Sequence, residues 1–374
     1  MKQILSFGIN SLLKLTNRLE FSIFSSRLFA STMVATVLSN SPILKFHAEP
    51  VPKFGRHSFL SRTFTIKRDP IISKLNSQKS LFPVKAMSSA SSMLASKTEP
   101  MVEPYNVLIT GSTKGIGYAL AREFLKAGDN VVICSRSDDR VKSALESLKI
   151  ESGKQHLWGT TCDVREGHDV RKLVAFAKEH LKYIDIWINN AGSNAYSYKP
   201  LVEASDEDLI EVVSTNTLGL MICCREAIKM MQTQTRGGHV FNIDGAGSDG
   251  RPTPRFAAYG ATKRSVVHLT KSLQAELRMQ DVNNVVVHNL SPGMVTTDLL
   301  MSGANTKQAK FFINVLAEPS EVVAEYLVPN IRSIPSNGST KPTYIRFLTG
   351  LKAYSQIFSR LAFGARRNRY ILED

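Results

Sequence analysis

From Asn106 onward, apolar runs of five or six residues alternate with longer stretches of helical period. The runs are rich in Val and Ile and hardly alternate with polar residues, so they predict strands buried on both faces. These strands are Asn106–Thr110, Asn130–Ser135, Leu157–Asp163, Ile184–Asn189, His239–Ile243 and Val285–Asn289. Helices are predicted between them over Ile116–Ala127, Asp139–Lys149, Gly167–His180, Asp206–Thr233 and Phe256–Gln280. Gly128 follows the first of these, where a left-handed cap is expected. No proline interrupts the chain between Pro104 and Pro200, which suits regular elements in close succession. Strand and helix in strict alternation predict an α/β fold built as a doubly wound parallel sheet in a single domain. Ligands of such sheets bind at the carboxyl ends of the strands, near the point where strand order reverses.

The two ends of the chain do not follow this pattern. Residues 1–100 contain 18 serines, 14 basic and four acidic side chains and only short apolar pieces such as ILSF and MVATVL. That is the profile of an organelle transit peptide; a secretory signal would need one longer apolar run before a small-residue cleavage site. The high serine content and Val84-Lys85-Ala86-Met87, which resembles a stromal processing site, point to the chloroplast. The expected organisation is a transit peptide over 1–86, a flexible leader over 87–104, the folded domain over 105–335 and a C-terminal extension over 336–374. No stretch approaches the ~18 apolar residues of a membrane span.

Charge reads differently once it is located. The chain carries a net +15, but ten of those charges lie in the first hundred residues. The remaining +5, without a basic motif interleaved with aromatics, argues against nucleic-acid binding. The extension holds seven Lys or Arg and no acid between Lys341 and Arg369, with Phe347, Leu351, Tyr354, Phe358 and Leu361 at helical spacing. This reads either as a basic amphipathic helix for an anionic bilayer surface or as a dimer-contact helix, and Thr343–Leu348 also fits a seventh strand. Cys134, Cys162, Cys223 and Cys224 lack metal-site or disulfide spacing and read as buried, reduced thiols. No cluster at metal-ligand spacing is offered, so no metal is expected.

The first strand runs directly into Thr110-Gly111-Ser112-Thr113-Lys114-Gly115-Ile116-Gly117 and a helix. Strand, glycine turn and helix in this order make a dinucleotide site of the Rossmann type. Gly111 permits the tight turn, Gly115 lets the backbone approach a pyrophosphate, and Gly117 allows close helix packing. Four further pieces follow in order: Asn189-Asn190-Ala191-Gly192, Asn216, Tyr259-Gly260-Ala261-Thr262-Lys263, and Ser291-Pro292-Gly293-Met294-Val295-Thr296-Thr297. Together they resemble the short-chain dehydrogenase/reductase family over roughly 106–329.

That resemblance implies a cofactor cleft lined by Gly111, Ser112, Thr113, Lys114, Gly115, Ile116 and Gly117, then Ser135 and Arg136. It also implies Asp163 and Val164 beside the adenine, Asn190, Ala191 and Gly192 on the adenosine side, and a nicotinamide loop with Pro292, Gly293 and Thr297. The second strand ends in Cys134-Ser135-Arg136 instead of an acid that would bind a ribose 2′-hydroxyl, so NADP(H) is the expected cofactor. Tyr259 and Lys263, four apart on a helix, share one face. An ammonium beside the phenol would lower its affinity for the proton and make it an acid–base group. Lys263 would also hold the nicotinamide ribose. The family's serine stands about 13 residues before the tyrosine, where this chain has Ala246; Ser248, 11 before it, is assigned to orient the carbonyl. Asn216 matches the asparagine that supports a water behind the lysine.

Within the family, the stretches Ile184–Tyr196, Phe241–Ser248 and Pro342–Phe347 resemble the plant chlorophyll(ide) b reductases. This implies NADPH-dependent reduction of the 7-formyl group of chlorophyll b, or of chlorophyllide b, to 7-hydroxymethyl. It further implies chlorophyll b breakdown, turnover of the light-harvesting complex, a complex with a related membrane-bound chlorophyll b reductase, peripheral contact with the stromal side of the thylakoid membrane, and a homo-oligomer. Leu299, Leu300, Met301, Phe311 and Phe312 would form a flexible apolar lid over a macrocycle. The rival readings are a plastid 3-oxoacyl carrier-protein reductase and, outside catalysis, a scaffold subunit for a partner reductase.

Overall fold

The computed structural model describes residues 99–374 apart from 153–155, 195–198, 303, 305 and 374. The expected transit peptide and all but the end of the leader lie outside the described residues. Seven parallel strands, in the order β3-β2-β1-β4-β5-β6-β7, form one sheet. They are β1 Asn106–Thr110, β2 Asn130–Ser135, β3 Leu157–Thr161, β4 Ile186–Asn189, β5 Gly238–Ile243, β6 Val285–Ser291 and β7 Tyr344–Arg346. Strand order reverses between β1 and β4, which places the ligand crevice at their carboxyl ends.

The uniform apolar runs explain the two layers. Odd positions of β1 and β2, Val107, Ile109, Val131 and Ile133, pack with Leu120 and Phe124 of helix α1 (Gly115–Lys126), Leu148 of α2 (Asp138–Ser152) and Leu327 and Ile331 of α9 (Ser320–Ser336). The intervening Leu108, Val132 and Trp187 face Leu173 of α3 (Gly167–Leu181), Cys224 and Met231 of α5 (Leu220–Gln232) and Val266 of α6 (Ala257–Met279). Residues with period-two orientation but no polar alternation are what a sheet covered on both faces requires. All four cysteines are free thiols and buried.

Differences from the sequence reading lie at the element ends, in one helix, and in α7 (Asp298–Met301), α8 (Lys307–Leu316) and α9, for which no helix was predicted. β3 stops at Thr161 and β4 begins at Ile186, leaving Asp163 and Ile184 in the connections. The single helix expected over 206–233 is three pieces: α4 (Asp206–Val213), a π-helical turn over Ser214–Gly219, and α5. A π-turn takes one extra residue per turn and re-aims the side chains it contains; Asn216 lies within it. The extension supplies both alternatives at once, a short seventh strand and the amphipathic helix α10 (Gly350–Phe363). Its charges are partly met by acids from outside that basic stretch: Arg366 and Arg369 pair with Glu318, and Arg360 with Glu373.

Polar side chains lock the strand ends that carry the site. Asn189, Asn242, Asn289 and Tyr344 stand in register across β4 to β7. Asn189 Nδ2 donates to Asn242 Oδ1 at 2.8 Å, Asn242 Nδ2 to Thr270 Oγ1 of α6 at 2.9 Å, and Thr270 Oγ1 to Asn289 Oδ1 at 2.9 Å. Buried amides joined this way are satisfied and fix α6 against the sheet.

Candidate active site

A cleft of about 1220 Å³ runs along the carboxyl ends of the strands. Its floor begins at the glycine turn after β1. Gly111 and Gly115 have φ of +62° and +57°, a region L side chains rarely enter. A Cβ on Gly111 would lie 2.8 Å from Ala191 Cα, and one on Gly115 3.2 Å from Thr297 Cγ2. The two glycines thus let the turn pack against the loops after β4 and β6, with the N-terminus of α1, the end that favours an anion, at the cleft. Asn190 Nδ2 donates to the carbonyl oxygens of Thr110 and Gly111 at 3.0 and 2.8 Å. Its amide therefore braces the glycine turn, while Ala191 and Gly192 beside it line the cleft.

Two expected cofactor residues do not line the cleft. Ser112 is fully buried; its hydroxyl donates to Ile109 O at 2.6 Å and accepts from Cys134 N at 3.0 Å, clamping β1 to β2. Gly117 faces the turn itself, where a Cβ would meet Asn190 Nδ2 and Gly111 O. The other glycine-turn positions, Thr113, Lys114 and Ile116, line the cleft with Ser135, Arg136, Asp163 and Val164, and with Pro292, Gly293 and Thr297 from the loop after β6.

The cations are engaged. Arg136 Nη1 bonds Glu211 Oε1 at 2.9 Å, and Glu211 also receives Arg165. Lys114 Nζ reaches Asp298 Oδ2 at 3.2 Å, tying the glycine turn to the short helix α7 (Asp298–Met301). Both pairs are exposed enough for an incoming phosphate to replace the carboxylate partner at little cost. Burial opposes ionisation of Asp163, yet Arg165 holds its carboxyl below the usual range. Ser137, just before α2, and Arg140, in its first turn, complete this end of the cleft; their place close after a recognised strand was the signal available for them.

Tyr259 and Lys263 line the opposite end together with Ser248. The Lys263 ammonium donates to Ile243 O at 3.2 Å and lies 5.6 Å from the centre of the Tyr259 ring. Burial, reinforced by the charge of Asp244, pushes the Tyr259 phenol up, opposite to the lowering expected from its lysine. Burial takes Lys263 down to about 8, against a pull upward from Asp244. Such a phenol stays protonated at neutral pH and can act as an acid.

Asn216 is buried outside the cleft wall. Its Oδ1 accepts from Ser193 N at 2.8 Å, and its Nδ2 donates to Ser193 O at 2.8 Å and Thr262 Oγ1 at 3.1 Å. The π-turn thereby fastens the strand-β4 loop to α6 beside Lys263. Gly245 lies against the tyrosine, since a Cβ on it would stand 2.6 Å from the Tyr259 hydroxyl. Asp244, which the sequence reading gave no role, lines the cleft next to it.

The outer wall is apolar. Leu299 and Leu300 of α7, and Phe312, Ile313 and Leu316 of α8 (Lys307–Leu316), line it with Leu348. Met301 and Phe311, expected in the lid, do not; Phe311 packs edge-on to Phe312 among residues that join α8 to α10. Among the described residues no group of acids, histidines and cysteines could hold a metal ion, and no helix is long and apolar enough to cross a membrane.

A short chain dehydrogenase model matches residues 105–308. The chain is 70% identical over 341 residues to chlorophyll(ide) b reductase NOL, chloroplastic, of Arabidopsis thaliana, covering 90% of this chain and 98% of that one. It is 82% identical over 274 residues to the protein of the same name from Oryza sativa subsp. japonica, covering 73% and 80%. Among solved structures it resembles a single-substitution variant of actinorhodin polyketide ketoreductase with NADPH, at a TM-score of 0.57 and 27% identity, over 68% of this chain and 99% of that one.

Proposed function

The chain belongs to the short-chain dehydrogenase family, and from that premise we propose that it reduces the 7-formyl group of chlorophyll b or chlorophyllide b to 7-hydroxymethyl with NADPH. The observation that carries this reading is one cleft in which a glycine cradle, a Tyr259–Lys263 pair and an apolar wall meet. Its volume exceeds the roughly 300–1,000 Å³ of common ligand pockets, which suits a macrocycle beside a dinucleotide. The 70–82% identity to proteins named chlorophyll(ide) b reductase supports the substrate class.

The residues present fit the dinucleotide. Gly111 and Gly115, which lack Cβ atoms, let the turn close against Ala191 and Thr297 and set the start of α1 at a pyrophosphate, and Ser135, Arg136 and Lys114 suit a 2′-phosphate. When bound, NADPH supplies the hydride for the formyl carbon. Tyr259 gives its proton to the formyl oxygen, and Lys263 steadies the resulting phenolate until a proton is returned from water. Ser248 orients the carbonyl, and Asn216 holds the segments that frame Lys263. Leu299, Leu300 and Phe312 exclude water around the ring.

The name chloroplastic on both relatives supports a plastid location. The finer reading places the enzyme on the stromal side of the thylakoid, through the exposed Leu351, Phe358 and Phe363 of α10, near light-harvesting complex and a related membrane-bound reductase. The exposed Ile210, Val213, Leu218 and Met221 on α4, the π-turn and α5 suit a homo-oligomer. The test is to incubate the purified chain with NADPH and chlorophyll b or chlorophyllide b and separate the pigments by chromatography. A 7-hydroxymethyl product is expected, reduced about 10²–10⁴-fold in Tyr259→Phe. Bound NADPH without product would overturn the substrate assignment.

A further inference from the structure

Asp244 follows β5 directly and is 2% exposed. Tyr344, on the edge strand β7, donates its hydroxyl to Asp244 Oδ2, while Asp244 Oδ1 is buried without a hydrogen-bond partner. Arg346 stacks 3.8 Å over the Tyr344 ring and holds it from the solvent side. Burial pushes this carboxyl up, and an orphaned buried oxygen is expensive unless a cation lies near enough to favour the carboxylate. The cation in reach is Lys263, whose ammonium is bonded to the carbonyl of Ile243, the residue before Asp244. Around the pair, the titratable groups are Tyr259 and Lys263 from α6 and Tyr344 from β7; the Lys263 side reaches Gly192 of the β4 loop, which has no side chain.

We propose that Asp244 is a positioning residue of the acid–base centre: its carboxylate, held by Tyr344, is the counter-charge that keeps the Lys263 ammonium protonated and in place beside Tyr259. The proposal rests on the reductase reading above for the role of Lys263. A buried ammonium without a counter-charge sheds its proton, and burial draws Lys263 down to about 8 even with Asp244 pulling it upward. With Asp244 neutralised, the lysine would be unprotonated at the pH where Tyr259 must act. The loop that places a glycine against the tyrosine hydroxyl therefore also places an acid behind the lysine, and the edge strand completes the arrangement.

The test follows the pH dependence of two quantities in the full chain, turnover of chlorophyllide b and NADPH affinity by fluorescence, for the unaltered protein, Asp244→Asn and Tyr344→Phe. The unaltered chain is expected to lose both through one proton near pH 8. In Asp244→Asn the midpoint should move down by about one pH unit, and in Tyr344→Phe it should move in the same direction by less, because the carboxylate remains but loses a donor. An unchanged midpoint in folded Asp244→Asn overturns the proposal, since a merely structural residue would alter stability without moving it. Should Asp244→Asn fail to fold, Tyr344→Phe decides by the same criterion. A chain that binds NADPH with the expected midpoints but turns over no chlorophyllide b contradicts the substrate assignment and leaves Asp244 supported.

Discussion

Single side chains decide how the dinucleotide would be held. Arg136 stands at the end of β2 where a family member that prefers NAD would need an acid, but in the folded chain it is paired with Glu211, 75 positions away. The cation was legible in the sequence because it follows a recognisable strand; its partner was not, because nothing local links α4 to β2. Replacing Arg136 by Ala should raise KM for NADPH about ten-fold, as expected for one lost charge-assisted contact, and leave KM for NADH nearly unchanged. Equal effects on both cofactors would show that Arg136 does not read the 2′-phosphate. Ser112 teaches the converse. It lies inside a motif whose spacing is unmistakable, yet its hydroxyl joins β1 to β2, and only burial distinguishes a clamp from a ligand. Tyr259 and Lys263 were legible from their spacing of four, whereas Asp244 was visible only as a departure from the expected serine, with its meaning carried by Tyr344 a hundred positions later.

At the scale of elements, hydrophobic period located six of the seven strands and the helices between them, because a sheet covered on both faces leaves long apolar runs with sharp polar breaks. It did not show the π-turn over Ser214–Gly219, since one extra residue in a turn barely disturbs a helical pattern, nor could it choose between strand and helix for an extension that contains both. Within β5 and β6, His239 and His288 are buried side by side, with Nδ1 of the first 3.1 Å from Nε2 of the second, and His288 Nδ1 accepts from Thr343 N just before β7. Burial lowers His239 to about 4 and His288 well below its ordinary value. Because the folded chain resists protons that the unfolded chain accepts, the contribution of these two histidines is flat above about pH 6.5 and falls as pH drops below it. For His239 alone the loss reaches about 3 kcal/mol by pH 4. Urea midpoints measured at pH 7.5 and 5 should show this decline, and it should be smaller in His239→Gln. An identical decline in that variant would assign acid sensitivity elsewhere.

For the whole molecule, the outward face of α10 is the largest feature that the reaction does not use. Its inner side, through Ala353 and Ile357, packs against Leu316 and Phe312 of the cleft wall, while Leu351 and Phe358 are exposed. If this face rests on the thylakoid, the double variant Leu351→Ser with Phe358→Ser should bind vesicles of galactolipid mixed with an anionic sulfolipid at least ten-fold more weakly, given ~1.5–3 kcal/mol for each large apolar side chain buried. Its turnover of dissolved chlorophyllide b should be unaffected. Undiminished vesicle binding would remove α10 from the contact.

β7 brings Tyr344 into the site from near the end of the chain. A polypeptide is made from its amino end and its segments fold as they emerge, so β1 to β6 and the glycine cradle can assemble before this strand exists. The acid–base centre is then the last part to be finished. A chain cut before Tyr344 would keep the glycine cradle but lose the hydroxyl that holds Asp244, so a single cleavage there would separate gripping the cofactor from using it.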